Sequence, residues 1–190
     1  MHDPSRPPLD ARRYRDTLGL FATGVAVIVA PTGAEDVVAM TVNAVSSVSL
    51  DPMLVLFCPA KKSRFANSMA TLHGFSINFL RFEQQALSGY FAGGWQESAP
   101  PPFRLVPAGH SPRLEGCLAS LDCTLHNLVD AGDHWVVIGL VHEVHQGIPP
   151  HQPLLFFGGR YRGLDPADSR PAPDLTGLAS EPAHVYYHHW

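Results

Sequence analysis

Residues 40–64 read MTVNAVSSVSLDPMLVLFCPAKKSR. An extended stretch carrying Thr41 and Asn43 runs into a serine-rich bend at Ser46, Ser47 and Ser49. A second apolar strand, 53–58, then empties into Pro59-Ala60-Lys61-Lys62-Ser63-Arg64. Lys61 and Lys62 are the only lysines in the chain. Small hydroxyl residues followed by the sole Lys-Lys-Ser-Arg cluster form a candidate cradle for a phosphate-bearing ligand, because cations, hydroxyls and loop N–H groups all favour a bound anion.

Working outward, the pattern is rich in strands. Asp10 is placed to cap a helix reaching to about residue 21, with Tyr14, Leu18 and Phe21 at helical spacing and Gly24 at its end. The β-branched run VAVIVA at 25–30, the turn 31–34 and a strand at 37–45 read as a hairpin. Short strands follow at 47–50 and 53–58, then a helix at 63–72, a buried strand at 75–80 and a second helix at 83–91. Residues 93–112 are rich in proline and glycine and read as a long surface loop, a lid or a subunit contact. Long strands are expected at 119–128 and 135–145, with 154–157 as the last strand. Many strands, few helices and no regular βαβ alternation favour a mainly β fold, an antiparallel barrel with a few peripheral helices, over a doubly wound sheet.

The organisation is a flexible N-terminal lead (1–9), a single domain (10–164) and a Pro-rich C-terminal tail (165–190). The tail ends in His184-Val185-Tyr186-Tyr187-His188-His189-Trp190, whose aromatics would gain from docking on a surface. The formal charge of −4 argues against general nucleic-acid binding. No apolar run approaches the roughly 20 residues needed to span a bilayer, and the N-terminus has no secretory apolar core. Cys58, Cys117 and Cys123 form no CxxC pair and point to a reducing, cytoplasmic setting.

Competing chemistries find little support. His142-Glu143-Val144-His145 is one residue short of a zinc-protease motif and falls on an expected strand, where positions three apart face opposite ways. No metal site is expected. There is no GxSxG elbow, no GxGxxG and no Walker sequence, and Cys58 ends an apolar strand, where a buried thiol is inert. The 61–64 loop reads either as a solvated basic loop or as a phosphate site. Lys62 precedes the expected helix start at Ser63, whose N-terminus would add partial positive charge. Alternation sets Thr41 and Asn43 on one face of their strand, as an edge-strand polar face or as donors and acceptors for a ligand. Gly132-Asp133-His134 is a sound hairpin turn.

These pieces together resemble the flavin reductase-like family, the FMN-binding split barrels. The family carries a segment close to T-x-N-(A/S)-F-(S/T)-S-V-S-x-(D/E)-P-P, then an apolar strand and a (R/K)-x-S-(R/T) loop. This chain is similar at Thr41, Asn43, Ala44, Ser46, Ser47, Val48, Ser49, Asp51 and Pro52, then Lys61, Ser63 and Arg64; it departs at Val45 and Met53. The likeness continues through Gly132-Asp133-His134 and Gly159-Arg160-Tyr161 and covers roughly 12–164.

The resemblance implies a split β-barrel homodimer with flavin sites near the subunit interface. It implies flavin contacts from Thr41, Val42, Asn43, Ser46 and Ser47, and from Cys58, Ala60, Lys61, Lys62, Ser63 and Arg64. His134 and Tyr161 would meet the nicotinamide, although Tyr161 reads equally well as an aromatic capping the barrel. The implied activity is NAD(P)H-dependent reduction of FMN or FAD, by NADH or NADPH, with reduced flavin passing to a partner flavin-dependent monooxygenase. No side chain is expected to be catalytic, because hydride passes between cofactors. The alternatives are a flavoprotein holding FMN tightly and reducing another acceptor, or a non-catalytic flavin-binding module.

Overall fold

A computed structural model describes residues 10–33, 36–149 and 152–165. The expected N-terminal lead, and the tail with its docking aromatics, fall outside the described residues apart from Asp165. Asp10 caps helix α1 (Ala11–Leu18) by accepting from the N–H groups of Arg12 and Arg13. The helix stops three residues before Phe21, and β1 (Thr23–Gly24) follows. Next come β2 (Ala26–Pro31), β3 (Val37–Val42), β4 (Val45–Leu50) and β5 (Met53–Phe57). The expected helix at 63–72 is a 3-10 helix, Phe65–Thr71, and β6 (Gly74–Phe79) follows it. The helix expected at 83–91 begins as a 3-10 turn, Phe82–Gln84, and continues as α2 (Gln85–Phe91).

The long loop 93–112 is less bare than expected. Within and after it lie β7 (Leu105–Val106) and β8 (Arg113–Leu114), which pair with each other. The two long strands are β9 (Ala119–Ala131) and β10 (His134–Gln146), each longer than its apolar run. The expected last strand, β11 (Leu155–Phe157), is followed by one more, β12 (Arg160–Arg162), turned by Gly158 and Gly159 at positive φ. In β12 the polar Arg160 and Arg162 flank a single Tyr161, a run too short to show a strand period.

The main sheet has the order β3-β2-β6-β9-β10-β5-β4, with every pair antiparallel. Its two edges, β3 and β4, are consecutive in sequence, and Val42 of β3 and Val55 of β5 belong to one buried cluster. The sheet therefore curls into a split barrel. Register shifts curl it at three places: between Ile138 and Gly139, between Val141 and Glu143, and between Ser47 and Ser49.

Strand β2 is buried on both faces, which explains its unbroken apolar sequence. Ala26, Ile28 and Ala30 point into the barrel with Phe57, Phe65 and Phe75. Val27 and Val29 point outward and join Val25, Leu80, Leu114 and Leu154 in a second cluster, packed by Phe91, Leu105 and Phe156. Asn78, fully buried, ties the two layers: its Nδ2 donates to the Val27 carbonyl at 3.0 Å and its Oδ1 accepts from Leu114 N at 2.8 Å. Inside the barrel Phe57 meets Phe65 and Phe75 edge-on, with ring centroids 5.8 and 5.1 Å away. Gly139 lies against Phe75, and a Cβ there would come within 2.4 Å of its ring.

Candidate functional site

The end of β5 sets one wall of the site. Phe57 is fully buried, so the chain leaving it through Cys58 and Pro59 is anchored by the core. The loop then pairs with the turn joining β9 and β10. Lys61 N donates to the Asp133 carbonyl at 2.9 Å, Trp135 N donates to the Pro59 carbonyl at 3.0 Å, and Ala60 bridges His134. The two motifs, 71 residues apart in sequence at Lys62 and Asp133 (133 − 62), are thus joined by main-chain bonds.

The charges in this wall are already arranged. Lys61 Nζ lies 2.7 Å from Asp130 Oδ2 and 4.8 Å from the centroid of the Trp135 ring. The expected phosphate lysine is thus held by an acid and an aromatic face, leaving exposed Lys62 and Arg64 as the outward-facing cations of the loop. The Lys61 hydrogen bond holds the Asp130 carboxyl below its usual range. His134 Nδ1 lies 2.7 Å from Asp133 Oδ1, and that contact lowers the Asp133 carboxyl in the same way. Ser63 Oγ accepts from Ala66 N at 3.2 Å, capping the 3-10 helix that stands where a longer helix was expected.

Two cavities flank the break between β3 and β4. The first, of about 750 Å³, lies between β3, Ser63-Arg64-Phe65 and the C-terminal end of α2. The second, a groove of about 520 Å³, is lined by Phe21, Asn43, Ser46, Ser47, Leu50 and Met53 among others. Strand β3 stops at Val42, and the chain bends at Asn43 before β4 begins. Strand alternation therefore does not carry Thr41 and Asn43 to one face: Thr41 lines the first cavity and Asn43 the groove. Thr41 Oγ1 donates to the Ser88 carbonyl at 2.7 Å. The Val42 side chain is buried in the barrel core, so only its backbone is available to a ligand.

Tyr161 stands apart from both cavities. Its hydroxyl is 2.8 Å from Ser88 Oγ and its ring packs against Phe156 in the second cluster. This geometry fits the barrel-capping role. Cys58 is partly buried and desolvation raises its thiol pKa; Cys117 and Cys123 are buried and pushed up to about 11 and about 12. None of these thiols is poised as a nucleophile at neutral pH. Asp130, Trp135 and Ser88, which position the loop and β3, escaped sequence reasoning. Their side chains act through contacts 47 to 69 residues away, which no local pattern reports.

The residues present fit a flavin nucleotide. Lys62, Ser63 and Arg64 supply cations and a hydroxyl for a phosphate, and the apolar Val38, Ala39 and Met40 line the neighbouring cavity. Strand β3 is a sheet edge, so its outer side carries no neighbouring strand and can offer backbone groups to a heteroaromatic rim.

A split barrel with a cationic loop beside a nucleotide-sized cavity defines a class of flavin-handling proteins. The chain belongs to the flavin reductase like domain family, whose model matches residues 18–165. It is 38% identical over 176 residues to the reductase subunit HsaB of a flavin-dependent monooxygenase from Rhodococcus jostii strain RHA1, covering 87% of this chain and 84% of that one. It is 35% identical to the NADH-dependent flavin reductase StyB of Pseudomonas fluorescens, covering 82% of this chain and 91% of that one. The solved flavin reductase PheA2 superposes with a TM-score of 0.76 at 36% identity, over 83% of this chain and 99% of that one.

Proposed function

We propose that this chain is an NADH-dependent flavin reductase that supplies reduced flavin to a partner monooxygenase. The family supports the reaction, and relatives named as a monooxygenase reductase subunit and as an NADH-dependent flavin reductase support the partner and the reductant. The observation that carries the reading is the main-chain join between Ala60-Lys61 and Asp133-His134. It puts the flavin phosphate loop and the candidate nicotinamide residue side by side on one rigid unit.

Flavin and nicotinamide supply the hydride chemistry when bound. The chain's own residues bind and align. Lys62, Ser63 and Arg64 hold the flavin phosphate, Lys61 braces the loop through Asp130, and the backbone of 41–43, with Cys58 and Ala60, borders the ring. Ser46 and Ser47 sit across the bend in the groove. His134, with Nδ1 occupied by Asp133, presents Nε2 to the nicotinamide. Alignment of two rings is the whole of the protein's contribution to such a transfer.

The same reading includes a homodimer and a cytoplasmic setting. Leu20, Phe21, Leu50 and Met53 are between 56% and 75% exposed, and the last three line the groove. An apolar face of this kind suits a subunit contact. Three unpaired thiols suit a reducing compartment, and no described helix is long and apolar enough to cross a membrane. The test is anaerobic mixing of purified protein with NADH and either FMN or FAD. Loss of both NADH and oxidised-flavin absorbance supports the reading; no NADH oxidation with either flavin overturns it.

A further inference from the structure

We propose that the cavity between β3 and α2 is an adenylate subsite, which makes FAD rather than FMN the preferred flavin. This rests on the reading of the 61–64 loop as the flavin phosphate site. Ser63 and Arg64 of that loop form one wall of the cavity. FMN ends at the phosphate the loop would hold. FAD continues through a second phosphate, a ribose and an adenine, and the contiguous space of about 750 Å³ is far more than a single phosphate fills. Pockets of roughly 300–1,000 Å³ take whole drug-sized ligands.

The opposite wall is aromatic. Tyr90 and Phe103 lie 5.9 Å apart between centroids and are tilted by 41°. Trp95 meets Tyr90 edge-on at 6.4 Å, and its Nε1 donates to the Ala99 carbonyl at 2.7 Å, which fixes the indole. Phe103 also contacts Phe91 at 5.2 Å, yet stays 39% exposed. A ring fixed by neighbours on one side and open on the other is a stacking platform for a flat heterocycle.

Charge gives the site a direction. Arg64 stands on the loop side, where the second phosphate of FAD emerges. Glu97, on the segment that carries Trp95, also lines the cavity. Its carboxylate repels phosphate and accepts from an exocyclic amine. An adenylate therefore fits with phosphates at Arg64 and its amine at Glu97. NADH carries the same adenylate chemistry, but only FAD reaches the cavity from a phosphate already held in the loop.

The test is calorimetric titration of the full chain with FAD, FMN, AMP and NADH, repeated for Trp95→Ala, Phe103→Ala and Glu97→Gln. The proposal expects wild-type protein to bind FAD at least about tenfold more tightly than FMN, with AMP competing against FAD, as expected for a stacked base. It expects Trp95→Ala and Phe103→Ala each to lower the FAD-to-FMN affinity ratio by about tenfold. Equal wild-type affinity for the two flavins overturns it, with no variant needed. Variants that weaken NADH binding and leave the flavin ratio unchanged overturn it in favour of a nicotinamide-dinucleotide site. Binding of neither flavin overturns the flavin reductase reading and this subsite with it.

Discussion

The two walls of the site are held in different ways. The loop wall, 59–64, is bonded through its main chain to the 133–135 turn and stands on three buried phenylalanines. The aromatic wall, from α2 through Phe103, is held by ring contacts and by one indole hydrogen bond. Main-chain bonds fix position within narrow limits, as two rings exchanging hydride require. Ring packing tolerates small shifts, which suits grasping a nucleobase away from the chemistry. The difference assigns precision to one wall and adaptability to the other.

The sharpest way to break the loop wall lies beneath it. Phe57→Ala removes the ring that touches both Phe65 and Phe75, and the expected loss is about 3–5 kcal/mol of stability. Thermal and denaturant melting reads it. A loss below about 1 kcal/mol would mean that the loop does not depend on the barrel core.

The aromatic wall has its anchor at the far end of the same segment. Asp122, almost fully buried, accepts from His110 N at 2.8 Å and Ser111 N at 3.2 Å, and its other oxygen lies 2.6 Å from His110 Nδ1. Asp122→Asn should cost about 1–3 kcal/mol by weakening bonds to a buried charge. Limited proteolysis should then cut within 93–112 before the barrel opens. Unchanged cleavage would show that ring packing alone secures the segment.

Within the loop the lysines separate. Lys62→Ala should weaken flavin binding by about 1–2 kcal/mol, through loss of an outward charge-assisted contact. Lys61→Ala should act less on affinity and more on loop order, because Lys61 is paired with Asp130. Flavin titration and hydrogen exchange of 59–64 distinguish the two effects. Equal affinity losses would mean that Lys61 leaves Asp130 to hold the ligand.

Smaller still is the expected effect of His134→Ala: a few-fold drop in hydride-transfer efficiency at nearly constant flavin affinity. Parallel loss of flavin affinity would move His134 into the flavin site. The weakest lever is pH. The folded Asp130 carboxyl lies below its usual 3.8, so its pairing with Lys61 is fully present above that value and is lost as pH falls through the lowered one. Exchange protection of the 59–64 amides should therefore be flat from neutral pH down to about 4 and fall below it, and Asp130→Asn should abolish that step.

Much of this was legible in the sequence for definite reasons. The run VAVIVA announced a strand buried on both faces, and the serine bend with its lysine loop announced the site. Three features were not legible. The bend at Asn43 interrupts a run whose composition continues a strand, because the sheet must split there for its edges to curl. The pairing of Lys61 with Asp130 and Trp135 spans 69 residues or more, beyond any periodic signal. Tyr90, Phe91, Trp95 and Phe103 looked like scattered aromatics of a helix and a loop, and only the fold of the segment back onto α2 gathers them.

Gly139 gives the loop wall a foundation made of empty space. A methyl group there would strike Phe75, and Phe75 leans on Phe57, the last residue before the chain departs toward Cys58 and the lysines. An added Cβ would push successively on two aromatic rings and then on the peptide that aims the loop. The altitude of the nucleotide above the barrel is thus set from below, by a hydrogen atom where every other amino acid would put a carbon.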